Sequence, residues 1–134
     1  EDNEVLFCEK CLLVEGPNDK YGLLALANKL DFDFSKLTIR YCVGKGSVHF
    51  YQTICLAYGI DFFVVYDQDE HGKDDLIEEL ALEDRVFSFT TSFENLIGND
   101  KLYEIMEKID ELDKNDLDGE IKDCLENVNK FLEK

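Results

Sequence analysis

The sequence predicts an α/β fold, with a small, mostly parallel sheet of four strands flanked by helices and a helical hairpin at the C-terminal end. Short apolar segments of strand length alternate along the chain with longer segments whose apolar residues recur at helical spacing. Such alternation favours parallel strands joined by right-handed crossovers. Hydrophobic residues make up 45% of the 134 residues, which is enough for the core of one domain.

The predicted strands are short apolar segments rich in residues that favour extended backbone. The third is the most apolar of them, and it ends abruptly in acidic residues. No linker rich in Pro, Gly or Ser interrupts the series, so the strands belong to one sheet. The predicted strands are Cys11–Val14, Leu37–Val43, Asp61–Tyr66 and Arg85–Thr90.

Helices are predicted between these strands. Before the first helix, Gly16 permits a sharp turn, Pro17 fixes φ, and Asn18 or Asp19 can cap the helix. Before the second, Ser47 is the expected cap. The three predicted helices are Asp19–Leu30, Val48–Tyr58 and Asp74–Leu82.

After Gly98 the chain becomes acidic and amphipathic, and two further helices are predicted with a turn near Asn115–Gly119. Their apolar stripes are expected to pack on the sheet or on each other, and a partner or homodimer face is the alternative. We therefore divide the chain into a core, residues 1–98, and a C-terminal helical extension of the same domain, residues 99–134. The residues of the two stripes are Leu102, Ile105, Met106, Ile109 and Leu112, then Ile121, Leu125, Val128 and Leu132.

Acidic residues follow two of the predicted strands. Asp67 and Asp69 come after the third strand, and side chains at positions i and i+2 of extended backbone point the same way. Glu15 follows the first strand, and parallel strands bring their carboxyl ends to one edge. Because clustered carboxylates repel each other, these three predict a magnesium site. The alternatives are a solvated acidic turn for the Asp pair and a helix cap for Asp19.

The segment Gly44–Ser47 joins a strand to a helix, and its lysine suggests a phosphate-binding loop. The glycine and the Lys-Ser/Thr order of a Walker motif are missing, so nucleotide binding of that kind is rejected. Two interpretations remain, a structural glycine turn and a phosphate contact made by Lys45 with nearby backbone N–H groups.

Composition restricts the partners and the compartment. With 14 basic and 31 acidic residues the net charge is −17, which argues against strong DNA binding by this chain alone. Metals can neutralise the site, and another domain can supply the grip. Without a secretory or membrane-spanning segment, five cysteines predict a reducing, cytoplasmic setting. Cys8 and Cys11 form a CxxC without a second ligand pair, so a zinc site is disfavoured.

Four ordered motifs, within residues 5–98, give the chain a family resemblance. They are Val14–Asp19, Tyr41–Ser47, Asp67-x-Asp69 and Ser92–Leu96. Together they resemble the TOPRIM domain, a Rossmann-like fold shared by topoisomerases, bacterial primases, recombination mediators and OLD-family nucleases. The segment from Val14 to Asp19 looks most like the OLD (overcoming lysogenization defect) version of that domain.

The resemblance implies metal-dependent cleavage of phosphodiester bonds in DNA, with Mg²⁺ or Mn²⁺ as cofactor. It also implies an ATPase domain upstream in a longer protein, of which this chain would be a fragment, and a catalytic lysine motif that is not found here. Other TOPRIM activities, such as a small ribonuclease or a primase-like enzyme, stay open, as does an acidic receiver-like interaction module. The implied site residues are Glu15, Asp67 and Asp69 as catalytic metal ligands, Asp19 and Glu94 as further ligands, and Lys45 on the scissile phosphate.

Overall fold

The computed structural model describes residues 10–82 and 84–133. Its centre is a parallel sheet of four strands in the order β2-β1-β3-β4. Because all four strands run the same way, their carboxyl ends lie along one edge of the sheet. The strands are β1 (Lys10–Val14), β2 (Thr38–Tyr41), β3 (Asp61–Asp67) and β4 (Val86–Phe89).

Six α-helices surround the sheet in the described part of the chain. They are α1 (Pro17–Lys29), α2 (Gly44–Tyr58), α3 (Asp75–Leu80), α4 (Phe93–Ile97), α5 (Leu102–Glu111) and α6 (Gly119–Glu133). A single 3-10 turn at Lys114–Asp116 separates the last two. The predicted α/β fold is therefore confirmed, with β2, β4 and α3 each shorter than predicted. Within the described ranges, no helix is both long and apolar enough to cross a lipid bilayer.

Two helix starts differ from the prediction. Helix α1 is preceded by Gly16 as its N-cap residue, with Pro17 in the first turn, because proline is well suited to that position. Asp19 lies two residues further on, inside the first turn of the helix. Helix α2 begins at Gly44, whose φ of 77° turns the chain from the strand directly into the helix. Ser47 is consequently inside the first turn and is not the cap.

Each face of the sheet has its own apolar core. Alternate strand residues point to opposite faces, so Leu12 and Phe63 enter one core while Leu13 and Val64 enter the other. Helices α2 and α3 cover the second face. Helices α1, α4, α5 and α6 cover the first, which is the larger core.

The two C-terminal helices pack on different partners. Helix α5 lies mainly against α1, and α6 lies across β3 and β4, so their stripes complete the core of the first face. Helix α6 is fastened at both ends: Glu120 accepts hydrogen bonds of 2.8 Å from the N–H and from the hydroxyl of Thr90. Lys10 donates to the carbonyls of Phe131, at 2.8 Å, and Leu132, at 3.2 Å. The division into a core of residues 1–98 and a C-terminal helical extension of the same domain, residues 99–134, stays a prediction.

Candidate metal centre

Four carboxylates meet at the carboxyl edge of the sheet. Glu15 directly follows β1, and Asp67 is the last residue of the adjacent β3. Asp19 lies in the first turn of α1, and Glu94 lies in the first turn of α4. The edge therefore gathers four of the five acids that the sequence singled out.

Three of these acids form a compact trio, Asp19, Asp67 and Glu94. One carboxylate oxygen from each lies within 4.8 Å of the other two. Asp19 is only 6% exposed, and Oε1 of Glu94 is buried without a hydrogen-bond partner among the described residues. Buried acceptors of this kind are normally satisfied, so the trio is arranged as if to share a cation.

Hydrogen bonds hold the acids of the trio and the start of α4 in place. The backbone N–H of Phe93 donates to Oδ1 of Asp67 at 3.2 Å, which ties the start of α4 to the end of β3. Ser92 caps α4 by accepting the N–H of Asn95 at 3.0 Å. Nδ2 of Asn18 lies 3.5 Å from Oε2 of Glu94. Each acid is thus positioned by the start of a helix or the end of a strand.

The sequence analysis did not predict the contact between Asn18 and Glu94, since it treated Asn18 only as a helix cap. Its side-chain amide also donates to the carbonyl of Asp100 at 2.9 Å. Asn18 therefore links α1 to the segment that follows α4 and contacts the carboxylate of Glu94. The position of Asn18 between Pro17 and Asp19, at the start of the helix, is the feature of the sequence that could have indicated this contact.

Glu15 lies beside the trio and close to the side-chain ammonium of Lys45. Its Oε1 accepts the N–H of Asp67 at 2.6 Å, and its Oε2 lies 3.4 Å from Nζ of Lys45. Lys45 reaches this edge because α2 begins at Gly44, one residue earlier. The structure thus brings Glu15, Asp67 and Lys45 together at this edge of the sheet.

Asp69 lies apart from the trio. Strand β3 ends at Asp67. The extended backbone that would make the side chains of residues 67 and 69 point the same way therefore does not reach Asp69. Asp69 is exposed in a turn, where its Oδ1 accepts the N–H of His71 at 2.8 Å and its backbone bridges to Gly72. A metal-binding role for Asp69 stays a prediction.

The electrostatics of the trio favour neutralisation. Burial raises the pKa of Asp19 to about 8, and the charges of Asp67, Glu94 and Glu15 add to that rise. Burial, followed by the charge of Glu15, raises the pKa of Asp67 to about 7. A divalent cation with a preference for oxygen ligands fits this donor set, because it would offset the repulsion and satisfy the bare Glu94 oxygen.

We expect the metal-free chain to lose stability as the pH rises from about 4 to about 8. The raised pKa values of Asp19 and Asp67 mean that the folded state holds more protons than the unfolded state in this window. Thermal melts in EDTA measure the effect, and Mn²⁺ should raise the melting temperature more at pH 8 than at lower pH, because protons then compete less for the carboxylates. An Asp19→Asn, Asp67→Asn double variant should show a flatter pH dependence. An unchanged slope would contradict the assignment.

Comparison with known proteins finds a matching family model and a relative of this chain. The family model for the "Overcoming lysogenization defect protein-like, TOPRIM domain" matches residues 6–69. The OLD nuclease of Thermus scotoductus is 31% identical over 140 residues, which take in 83% of this chain and 26% of that protein. The chain thus spans about a quarter of the length of that relative.

Solved structures share the fold. The C-terminal region of the OLD protein of Xanthomonas campestris pv. campestris, phased with platinum, superposes with a TM-score of 0.62 at 16% identity and covers 95% of both chains. The same region phased with iodine gives a TM-score of 0.54 at 13% identity, over 92% of this chain and 95% of that one. Residues 6–69 therefore match the TOPRIM domain of OLD-like proteins, and the solved structures show that the chain shares the fold of the C-terminal regions of OLD proteins.

Proposed function

We propose that this chain is the nuclease domain of an OLD-like endonuclease and cleaves phosphodiester bonds in DNA with the help of Mg²⁺ or Mn²⁺. The observation that carries the proposal is the trio, in which Asp19 is buried and Asp67 and Glu94 are partly buried, with its unsatisfied Glu94 oxygen. The relative named OLD nuclease supports the same activity. Such a concentration of buried carboxylates lowers the stability of the metal-free protein, so a functional reason for it is needed.

In this proposal Asp19, Asp67 and Glu94 hold one divalent ion, and Glu15 and Asp69 add ligands for a second. When bound, such ions supply an activated water and stabilise the charge on the leaving oxygen. Glu15 also accepts the backbone N–H of Asp67, which fixes the direction of the Asp67 side chain. The depth of Asp19, at 6% exposure, keeps bulk water from competing on that side of the trio.

The experiment that tests the proposal is cleavage of supercoiled plasmid by the purified chain. We expect nicked and linear products in Mg²⁺ or Mn²⁺ and none in EDTA. A Glu94→Gln variant keeps the size of the side chain but removes its charge, and it should cleave far more slowly. An Asp123→Asn variant, exposed on α6, serves as the control. No cleavage by the unaltered chain in either metal would contradict the proposed activity.

Lys45 is proposed to bind the phosphate that is cleaved. Removing one charge-assisted contact of this kind should slow cleavage by roughly ten- to a hundredfold, since other groups still hold the substrate. Initial rates for Lys45→Ala against Lys122→Ala, an exposed lysine on α6, measure the effect. A loss as complete as that of the Glu94 variant would instead assign Lys45 a direct part in the chemistry.

We also propose that DNA is held with help from a domain outside this chain, an ATPase domain that precedes it in the longer protein. The net charge of −17 repels a polyanion, and the chain covers only 26% of its relative. Comparing DNA affinity and cleavage by the chain and by the protein of its whole reading frame tests this. Equal affinities would contradict the proposal.

Parallel assays on RNA and primer templates would separate the nuclease from a ribonuclease or a primase-like enzyme.

A further inference from the structure

A cationic and aromatic cluster borders the metal centre on the β2 side. It consists of Lys20, Tyr21 and Tyr41, and we call it the Lys20 cluster. Lys20 and Tyr21 follow Asp19 directly on α1, and Tyr41 is the last residue of β2, the strand next to the one that leads into Glu15. The cluster therefore belongs to the same edge of the sheet as the carboxylates.

The lysine of this cluster is held by aromatic rings. Nζ of Lys20 lies 5.5 Å from the ring centre of Tyr21 and 5.8 Å from that of Tyr41. No ion pair of Lys20 occurs in residues 10–82 and 84–133, although the chain has 31 acidic residues. A cation–π contact leaves the positive charge uncompensated, so Lys20 can still attract an anion.

The two tyrosine rings offer flat aromatic surfaces next to the position where an anion would bind. Tyr21 is 40% exposed, and Tyr41 is half-buried beside it. Proteins that hold single-stranded nucleic acid combine aromatic faces, on which bases stack, with cations that contact the backbone. In a duplex the base faces are already stacked on each other, so a protein ring gains access only where a strand is unpaired or frayed.

We propose that the Lys20 cluster binds a nucleotide of a single DNA strand next to the phosphate that is cleaved, with the base on Tyr21 and a backbone phosphate on Lys20. This rests on the proposed nuclease function and specifies its substrate as unpaired or frayed DNA. Because the chain as a whole repels nucleic acid, a local cation beside the acids gives the strand a defined side of approach. Charge and stacking surface then occur together beside the carboxylates.

Binding of a fluorescent oligonucleotide, followed by anisotropy in Ca²⁺, tests the proposal without requiring cleavage. Three probes are compared: a short single strand, the same strand with abasic positions, and a duplex. We expect Tyr21→Ala to weaken binding of the intact single strand roughly tenfold and to leave the abasic strand unaffected. Lys20→Gln should weaken binding of both and reduce the dependence on salt.

Matched controls come from the opposite edge of the sheet. Tyr58 is exposed at the far end of α2, and Lys36 is exposed just before β2, so Tyr58→Ala and Lys36→Gln should bind like the unaltered chain. The proposal is overturned if Tyr21→Ala binds like these controls, if the abasic strand loses as much affinity, or if the unaltered chain does not bind the single strand more tightly than the duplex. Failure of the nuclease proposal has a separate readout, the absence of metal-dependent plasmid cleavage.

Discussion

Asp67→Asn is expected to abolish cleavage while making the metal-free chain more stable. Asparagine keeps an oxygen that can accept the N–H of Phe93, so the link between β3 and α4 survives. It loses the charge that burial and Glu15 disfavour, as the raised pKa of about 7 indicates. The melting temperature in EDTA should therefore rise most at pH 8, where Asp67 of the folded chain is ionised, rise less at pH 5, and change little below about pH 4, where Asp67 is protonated in both the folded and the unfolded chain.

The loss of activity should exceed the roughly 10–100-fold that follows when a group behind a metal ligand is removed, because Asp67 is proposed to be a ligand itself. Plasmid cleavage and melting in Mn²⁺ are measured on the same preparation. Asp69→Asn is the informative companion, since Asp69 lies exposed outside the trio. Equal losses in the two variants would support the proposed part of Asp69 in binding the second ion, and full activity in Asp69→Asn would remove Asp69 from the proposed site. Full activity in Asp67→Asn would remove the nuclease proposal.

Gly22→Ala is expected to destabilise the fold and to disturb the metal centre from a distance. A Cβ at this position of α1 would lie 2.5 Å from Cε2 of the buried Phe93 ring, which is closer than carbon atoms can approach. Overpacking of this kind costs about 1–3 kcal/mol. The better helix propensity of alanine returns at most about 1 kcal/mol, so the clash prevails.

Phe93 cannot move without consequences, because its N–H donates to Asp67 and its neighbour is Glu94. We therefore expect Gly22→Ala to lower the melting temperature and, beyond that, to weaken the stabilisation by Mn²⁺. Gly46→Ala on α2 is the matched control, since its Cβ would meet nothing within 4 Å, and it should leave stability unchanged or raise it. Equal melting temperatures for Gly22→Ala and the unaltered chain would show that the α1–α4 contact is looser than described.

The fold could be predicted because its cause is local. Apolar runs of strand length alternate with helical stripes, and each run appears as a strand in the structure. Helix starts were harder, since they depend on single backbone angles such as the φ of 77° at Gly44. The partners of α5 and α6 could not be read from their stripes, because an amphipathic stripe shows that a helix packs and does not show on what.

The candidate site followed the same division. That Glu15 and Asp67 are close follows from parallel pairing of their strands, which the alternation indicated. Asp19 and Glu94 were recognised through family motifs, and the structure adds the reason they meet: α1 and α4 both begin at this edge. The position of Asp69 could not be inferred, because it depends on where β3 ends and on a turn closed by the N–H of His71.

The bonds from Lys10 to the carbonyls of Phe131 and Leu132 have a consequence for how the chain reaches its native state. They join positions 121 and 122 residues apart, and the ring of Phe131 lies between Lys10 and Arg85, at 5.1 and 5.3 Å. During synthesis the part of the first face over β3 and β4 emerges uncovered, and α6 is the helix that covers it. Such long-range closure slows folding and leaves β3 and β4 open to wrong partners until it occurs. Ribosome-bound chains that lack α6 should consequently be captured by chaperones, whereas chains that include it should be released.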